Sequence, residues 1–245
     1  MVLSIKLLAI VILIIIFAHV IQTITGFAGS MLALPFLTFI ISLSDAKVLI
    51  TLIGLVWSLW ILYTDHKYID WHFLWMAVVL MTIGIAIGMA IAKKVPTNAL
   101  LIFMAIVIIS SAIWNLIHKS SKKKDSIKRD LFFGIGAGIM QGMVLMGGPL
   151  VVVMANAYFE DRRYYRATLA VVWLFIDVIL LGFFQMDSMI SKQSLMLTGL
   201  SIIPLALSIA IGNYINKFLD NVKFSRLVNG LLMISGATIL LQVFG

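Results

Sequence analysis

The chain has 245 residues, of which 62% are hydrophobic and 11% are charged, against about 25% charged residues in an ordinary soluble domain. This composition excludes a soluble globular protein and predicts several membrane-spanning helices, each of around 20 apolar residues. The net charge of +8 does not indicate nucleic-acid binding here, because Lys and Arg lie in short loops between apolar runs. Cysteine is absent, which excludes disulfides and thiolate metal sites.

Apolar segments follow one another along nearly the whole chain. They cover residues 5–24, 27–42, 46–63, 71–92, 99–117, 131–146, 149–159, 167–185, 194–215 and 226–244. The first follows Lys6 as in a signal peptide, but no small-residue cleavage site comes after it, so we expect it to be part of the mature structure. The segment 119–130 is a basic linker that separates a first membrane repeat, 1–118, from a second, 131–245.

Two Gly-rich breaks, Gly26–Ser30 and Gly147–Pro149, interrupt apolar segments in the two halves of the chain. The halves align at an offset of 119 positions around the breaks and of 124 further on. The aligned pairs are Gln22 with Gln141, Ala28-Gly29-Ser30 with Gly147-Gly148-Pro149, Lys47 with Arg166, and Ile85–Gly88 with Ile209–Gly212. Several matches in one order predict an internal repeat.

Counting Lys and Arg indicates how the second break lies in the membrane. If 131–159 forms a hairpin that returns to its own side and the linker is cytoplasmic, 13 cationic residues lie inside and 5 outside. If this segment crosses the bilayer, the count is 8 inside and 10 outside. The positive-inside rule favours the hairpin.

Three spans follow each hairpin, so the second half is inverted relative to the first. We therefore predict an all-α integral membrane protein of two inverted repeats, each a re-entrant or broken-helix hairpin plus three transmembrane helices. For the first hairpin, 5–42, a re-entrant form and two nearly full spans both stay open.

A helix break in hydrocarbon leaves backbone groups without partners, so a repeated break needs a function. The arms that begin after the two breaks present free N–H groups and positive dipole ends, which together predict a site for an anion near the midplane. We expect the substrate to be bound by residues at and near the breaks: Gln22, Thr25, Gly29, Ser30, Gln141, Gly147, Gly148, Pro149, Asn156, Lys47 and Arg166.

Some of these residues have a second interpretation that the sequence leaves open. Gln22 and Gln141 either donate to the anion or only bind the loop backbone of the breaks. Lys47 and Arg166 either contact the substrate or extend to the membrane interface near a helix end.

Asp177 and His19 are the candidates for proton coupling. Asp177 lies near the centre of a span, where an apolar environment favours a neutral carboxyl group that can carry a proton. His19 precedes Gln22 by three residues and shares its helix face. The alternatives are a carboxylate that is hydrogen-bonded for packing and a histidine that is satisfied within the core.

Two small-residue patterns, Gly84–Gly88 and Gly134–Gly138, predict close helix packing. The spacing of catalytic groups and metal ligands matches no known motif, so we predict no cofactor, no metal and no enzymatic activity.

The residues at the breaks resemble those of the sulfite exporter TauE/SafE family over essentially the whole chain. The motifs are Thr25-Gly26-Phe27-Ala28-Gly29-Ser30 followed by Pro35, and Met146-Gly147-Gly148-Pro149-Leu150. The first departs from the family pattern at Ala28 and Ser30, where glycines are usual. The resemblance implies a transporter, usually an exporter, of sulfite or small organosulfur anions.

The sequence and the resemblance together predict a secondary transporter of sulfite, sulfoacetate or thiosulfate that works by alternating access. An anion channel with the same helix-end site is the alternative. Expected partners are the small anion, the lipid bilayer and no nucleic acid, with protons and a second copy of the chain as further candidates. We expect a multi-pass protein of the cell (plasma or inner) membrane with its central linker in the cytoplasm.

Overall fold

The computed structural model describes residues 5–117, 126–159 and 161–216, with a few isolated positions beyond them. The span expected at 226–244 and most of the linker lie outside the described residues. Helices and turns form the described part, without a strand. The helices are α1 (Ile5–Thr25), α2 (Gly29–Leu37), α3 (Leu43–Asp65), α4 (Trp71–Ala92), α5 (Thr97–Ile117), α6 (Ile127–Val144), α7 (Gly148–Ala155), α8 (Arg162–Met186) and α9 (Lys192–Asn216).

Five helices of the described part are long and apolar enough to cross a membrane, namely α1, α3, α4, α8 and most of α9. Polar residues at the membrane surface begin several of them. Ser42 accepts a hydrogen bond from the backbone N–H of Asp45 at the start of α3, and Asp70 and Asp161 cap α4 and α8 in the same way. The protein is therefore a multi-pass membrane protein.

The arms of both hairpins are unequal in length. In the first hairpin, α1–α2, the long arm has 21 residues and the return arm nine. In the second hairpin, α6–α7, the arms have 18 and eight residues. At 1.5 Å per residue a return arm is about 12–14 Å long, less than half the hydrocarbon thickness, so neither return arm is a span. Helix α6 begins at Ile127, inside the segment expected to be linker.

The helices of the two halves pack across each other. Helix α1 packs against α9, α4 against α6, and α3 against α8. The two small-residue patterns meet in the α4–α6 pair, because an added Cβ at Gly138 would lie 2.8 Å from the Cα of Gly84. The close packing predicted for both patterns is confirmed, and each is the other's partner.

Helices α3 and α8 run antiparallel through the centre of the bundle. The end of α3 lies beside the start of α8, where Asp65 accepts a hydrogen bond from Arg166 at 2.6 Å. The start of α3 lies beside the end of α8, where the Ser191 hydroxyl donates to Asp45 at 2.5 Å. The first hairpin packs against this pair through α2 and α3, whereas the second packs mainly against α4.

Candidate functional site

The two breaks have the same backbone course. Helix α1 ends at Thr25, a left-handed residue follows at Gly26 with φ of +87°, and α2 begins at Gly29. Each of these positions recurs 119 residues later, where α6 ends at Val144, Leu145 is left-handed with φ of +56°, and α7 begins at Gly148. A left-handed leucine costs about 1–2 kcal/mol, so the fold holds this turn against a local preference.

Side chains of the hairpins themselves satisfy part of each break. The Thr25 hydroxyl oxygen accepts hydrogen bonds from the backbone N–H groups of Phe27 and Ala28, both at 3.3 Å. In the second hairpin the Gln141 side-chain carbonyl accepts the N–H of Gly147 at 2.9 Å. Thr25 and the carbonyl oxygen of the Gln141 amide therefore stabilise the loops. For Gln141 this agrees with the second interpretation given from the sequence, that its side chain binds the loop backbone.

The tips of the two hairpins touch. The Ser30 hydroxyl, in the first turn of α2, donates to the carbonyl of Leu145 in the second hairpin at 2.9 Å. A Cβ added at Gly148 would lie 3.3 Å from the Phe27 ring. Two breaks that are far apart in sequence thus form one structure.

A small cavity of about 30 Å³ lies between the tips and the α3–α8 pair. Its walls come from both hairpins and from the middle of both helices: Gln22, Phe27, Ser30, Ile50, Thr51, Gly54, Gln141, Leu145, Trp173 and Asp177. Gly54 is the central residue of α3 and Trp173 adjoins the centre of α8. We call this space the central cavity.

Several polar groups in the walls of the central cavity are buried and make few hydrogen bonds to the described residues. Gln22 is 8% exposed, and its amide makes no hydrogen bond within the described part of the chain. The Thr51 hydroxyl is buried without a partner among the same residues. Asp177 is 7% exposed and faces Gly54, where an added Cβ would lie 2.8 Å from the carboxylate. Buried polar groups normally have partners, so the unpaired Thr51 hydroxyl is the group here that a polar ligand could satisfy.

The absence of a side chain at Gly29 leaves the space that the Gln22 side chain occupies. A Cβ at position 29 would overlap the Gln22 amide, so only glycine lets this side chain lie across the start of α2. The Gln22 side chain and the first N–H groups of α2 are brought to the same region, and the Gln22 atom nearest to the start of α2 is the side-chain oxygen, an acceptor.

The two predicted cations lie outside the walls of the central cavity, Lys47 about one turn from Thr51 and Arg166 about two turns from Trp173. Lys47 is 4% exposed and its ammonium group donates to the carbonyl of Met143, near the end of α6. Arg166 donates to the carbonyl of Thr23 at 3.4 Å, to Asn213 at 3.2 Å and to Asp65 at 2.6 Å.

Other predicted residues lie apart from the cavity walls. His19 is fully buried in α1, where its Nδ1 pairs with the carbonyl of Ile15 at 3.0 Å. Asn156 is exposed at the far end of α7. Gly147 and Pro149 belong to the second break, with Pro149 in the first turn of α7 as expected.

Sequence reasoning missed Thr51, Gly54 and Trp173. Thr51 follows Lys47 by four residues and so shares its helix face, and Trp173 precedes Asp177 by four in the same way. That spacing was the available signal. Trp173 also supports the first break, because its indole N–H donates to the Gly26 carbonyl at 3.0 Å.

Comparison with known families gives a match over nearly the whole chain. The family model described as "Sulfite exporter TauE/SafE" matches residues 11–239, which include both breaks and every wall of the central cavity. No curated protein and no solved structure matches the chain.

Proposed function

The chain belongs to the sulfite exporter TauE/SafE family, and from that premise we propose that it is a secondary transporter of small sulfur-containing anions such as sulfite, sulfoacetate or thiosulfate. The substrate binds in the central cavity between the two hairpin tips, and alternating access carries it outward. The observation that carries the proposal is that Gln22 and Gln141, one from the long arm of each hairpin, both line that cavity. The family is one of transporters, in agreement with the expectation that the protein is not an enzyme.

Inverted repeats are the proposed basis of alternating access. Support comes from the helix boundaries that recur 119 residues apart and from the antiparallel course of the equivalent helices α3 and α8. The second hairpin also begins and ends at one face, because the Tyr158 hydroxyl donates to Asp130 at 2.6 Å. Two units of opposite orientation around one site can expose it to either side in turn.

Substrate binding rests on neutral donors in the central cavity. The amides of Gln22 and Gln141 and the hydroxyl of Thr51 can each donate to anion oxygens, whereas the one proton of the Ser30 hydroxyl is donated to the Leu145 carbonyl. The N–H groups that begin α2 at Gly29 and α7 at Gly148 add the positive ends of two helices. Donors of this kind suit the oxygens of a sulfite or sulfonate group.

Asp177 is proposed to couple transport to protons. The described walls of the cavity carry this one carboxylate and no Lys, Arg or His. Facing groups are Gly54 and Thr51 from α3, Gln22 and Ser30 from the first hairpin, and Gln141 from the second, none of which titrates. An ionised Asp177 would repel the substrate, so anion and proton bind together.

Polar contacts near both ends of the bundle are candidates for the gates. At one end Arg166 and Asp65 link α8 to α3, and at the other Lys93 and Asp187 link α4 to the end of α8 at 2.5 Å. We propose that the Arg166 end faces the cytoplasm together with the linker, as the positive-inside count favours, and that the protein lies in the cell membrane.

Flux through proteoliposomes tests the proposal. Purified protein should drive saturable movement of sulfite, thiosulfate or sulfoacetate under an imposed proton gradient, with counterflow of labelled substrate. The Gln22→Leu variant should lose it, whereas Gln185→Leu, an exposed glutamine at the end of α8, should not. Absence of flux under every gradient contradicts the proposal, and unitary conductance without saturation or counterflow favours the anion channel.

A further inference from the structure

We propose that Lys47 and Arg166 are positioning residues, each of which caps the broken helix of the opposite repeat and so neutralises a negative helix end beside the central cavity. The capping itself follows from contacts in the bundle. Only its consequence for the anion rests on the proposed function.

The contacts cross between the repeats. Lys47, on α3 of the first repeat, donates to the Met143 carbonyl near the end of α6 in the second. Arg166, on α8 of the second repeat, donates to the Thr23 carbonyl near the end of α1 in the first. The two cations are 119 positions apart and the two carbonyls 120, so the contacts occupy nearly equivalent positions in the two repeats.

Helix ends inside a bundle need such partners. The last four carbonyls of an α-helix have no partner within the helix, and together they carry about half a negative charge. At a membrane surface water satisfies them, but α1 and α6 end inside the protein, beside a cavity that should hold an anion. Without compensation these ends would repel the substrate that the starts of α2 and α7 attract.

The burial of Lys47 distinguishes helix capping from the alternative role of a cation whose side chain extends to the membrane interface. Lys47 is 4% exposed, and its ammonium group contacts a protein carbonyl. Among the described residues it has no carboxylate partner, so no acidic side chain there balances its charge beside the end of α6. Arg166 also pairs with Asp65, so its charge is partly balanced. The helix face of Lys47 continues into the cavity at Thr51, one turn away.

Hydrogen–deuterium exchange, followed by mass spectrometry on the full-length protein in nanodiscs, tests the crossed contacts without any substrate. In Lys47→Met we expect at least tenfold faster exchange in 140–148, with 22–29 unchanged. In Arg166→Met we expect the faster exchange in 22–29, with 140–148 unchanged. The exposed cations Lys94 and Arg162, each changed to Met, are the matched controls and should alter neither hairpin.

Faster exchange in the hairpin of the variant's own repeat, or equally in both hairpins, would overturn the proposal. If Lys47→Met does not fold, Lys47→Gln keeps a hydrogen-bond donor and removes the charge, and the same segment should still exchange faster. Lys47→Arg, which keeps charge and donor, should restore protection.

Substrate charge tests the electrostatic consequence. Lys47→Gln should raise the KM for doubly charged sulfoacetate more than tenfold and that for singly charged methanesulfonate at most threefold, with Vmax little changed. An equal rise for both anions would overturn the charge argument. If the wild-type protein moves no anion, the proposed function fails, while the exchange pattern still decides the capping.

Discussion

The first hairpin places glycine at its left-handed position and leaves the Gln22 amide without a partner in the described structure, whereas the second places Leu145 there and uses the Gln141 carbonyl to hold Gly147. The two breaks have the same backbone course but assign their polar side chains differently. Gln22 is free for a ligand, and Gln141 is divided between ligand and loop. The difference shows that two breaks with the same backbone course need not contribute equally to binding of the anion.

Substitutions at the glycines that begin the two return arms should show the largest difference between the hairpins in their effect on anion affinity. In Gly29→Ala the new Cβ displaces the flexible end of Gln22, so the protein should fold but lose anion affinity at least 100-fold. In Gly148→Ala the Cβ meets the Phe27 ring at 3.3 Å, which a small shift relieves, and the loss should stay below tenfold. Equal losses, measured by calorimetry, would contradict the comparison.

A larger side chain at the second tip removes that tolerance. Gly148→Leu should abolish binding because its side chain must displace Phe27 and separate the tips, while membrane insertion and the bundle remain. Size-exclusion profile and thermal stability report the fold. Normal affinity in this variant would exclude the tips as the binding site.

Asp177→Asn should change the pH dependence of transport. In the wild type, protonated Asp177 permits anion binding at low pH and ionised Asp177 opposes it at high pH, so uptake should fall as pH rises. The variant stays neutral and should give a flat profile. Methanesulfonate is the suitable substrate because its own charge does not change between the low and the high pH that are compared. A profile identical to that of the wild type would remove the coupling role.

The two glutamines should differ in stability more than in binding. Gln22→Leu removes a free amide and should weaken binding about 100-fold, as Gly29→Ala does, with little change in stability. Gln141→Leu should weaken binding too, and should cost a further ~1 kcal/mol of stability because the Gly147 N–H loses its acceptor. Thermal-shift measurements of both variants, with Gln185→Leu as control, compare them directly.

The smallest effects belong to the hydrogen bonds that hold each left-handed residue. Trp173→Phe removes the donor to the Gly26 carbonyl, and Ser30→Ala removes the donor to the Leu145 carbonyl. Each should cost ~1 kcal/mol of stability. Exchange should rise around position 26 in the first variant and around position 145 in the second.

Local features of the fold were predictable because each leaves a pattern in neighbouring residues. The offset that paired Gln22 with Gln141 placed both in one cavity, and the family recognised from the glycine motifs is confirmed by the match over residues 11–239. The short α2 was not predictable as such, since the apolar run continues past Leu37 to residue 42.

Contacts between the repeats could not be predicted from the sequence. Lys47 and Arg166 were recognised as counterparts, but their partners lie on the opposite hairpin, about 100 or more residues away in sequence, and no local pattern encodes that packing. Thr51 was missed because a single threonine in an apolar helix has no signature of its own. Its significance comes from Gln22, Gln141 and Asp177, which only the tertiary structure places beside it.

Direct titration of purified protein with sulfite, followed by the fluorescence of Trp173 in the cavity wall, tests the central claim most directly. Trp173→Phe gives the background from the other tryptophans. We predict saturable binding of one anion per chain that disappears in a Gln22→Leu, Gln141→Leu double variant of unchanged fold. Unaltered binding in the double variant, or no binding of sulfite, thiosulfate or sulfoacetate by the wild type, would contradict an anion site between the two hairpin tips.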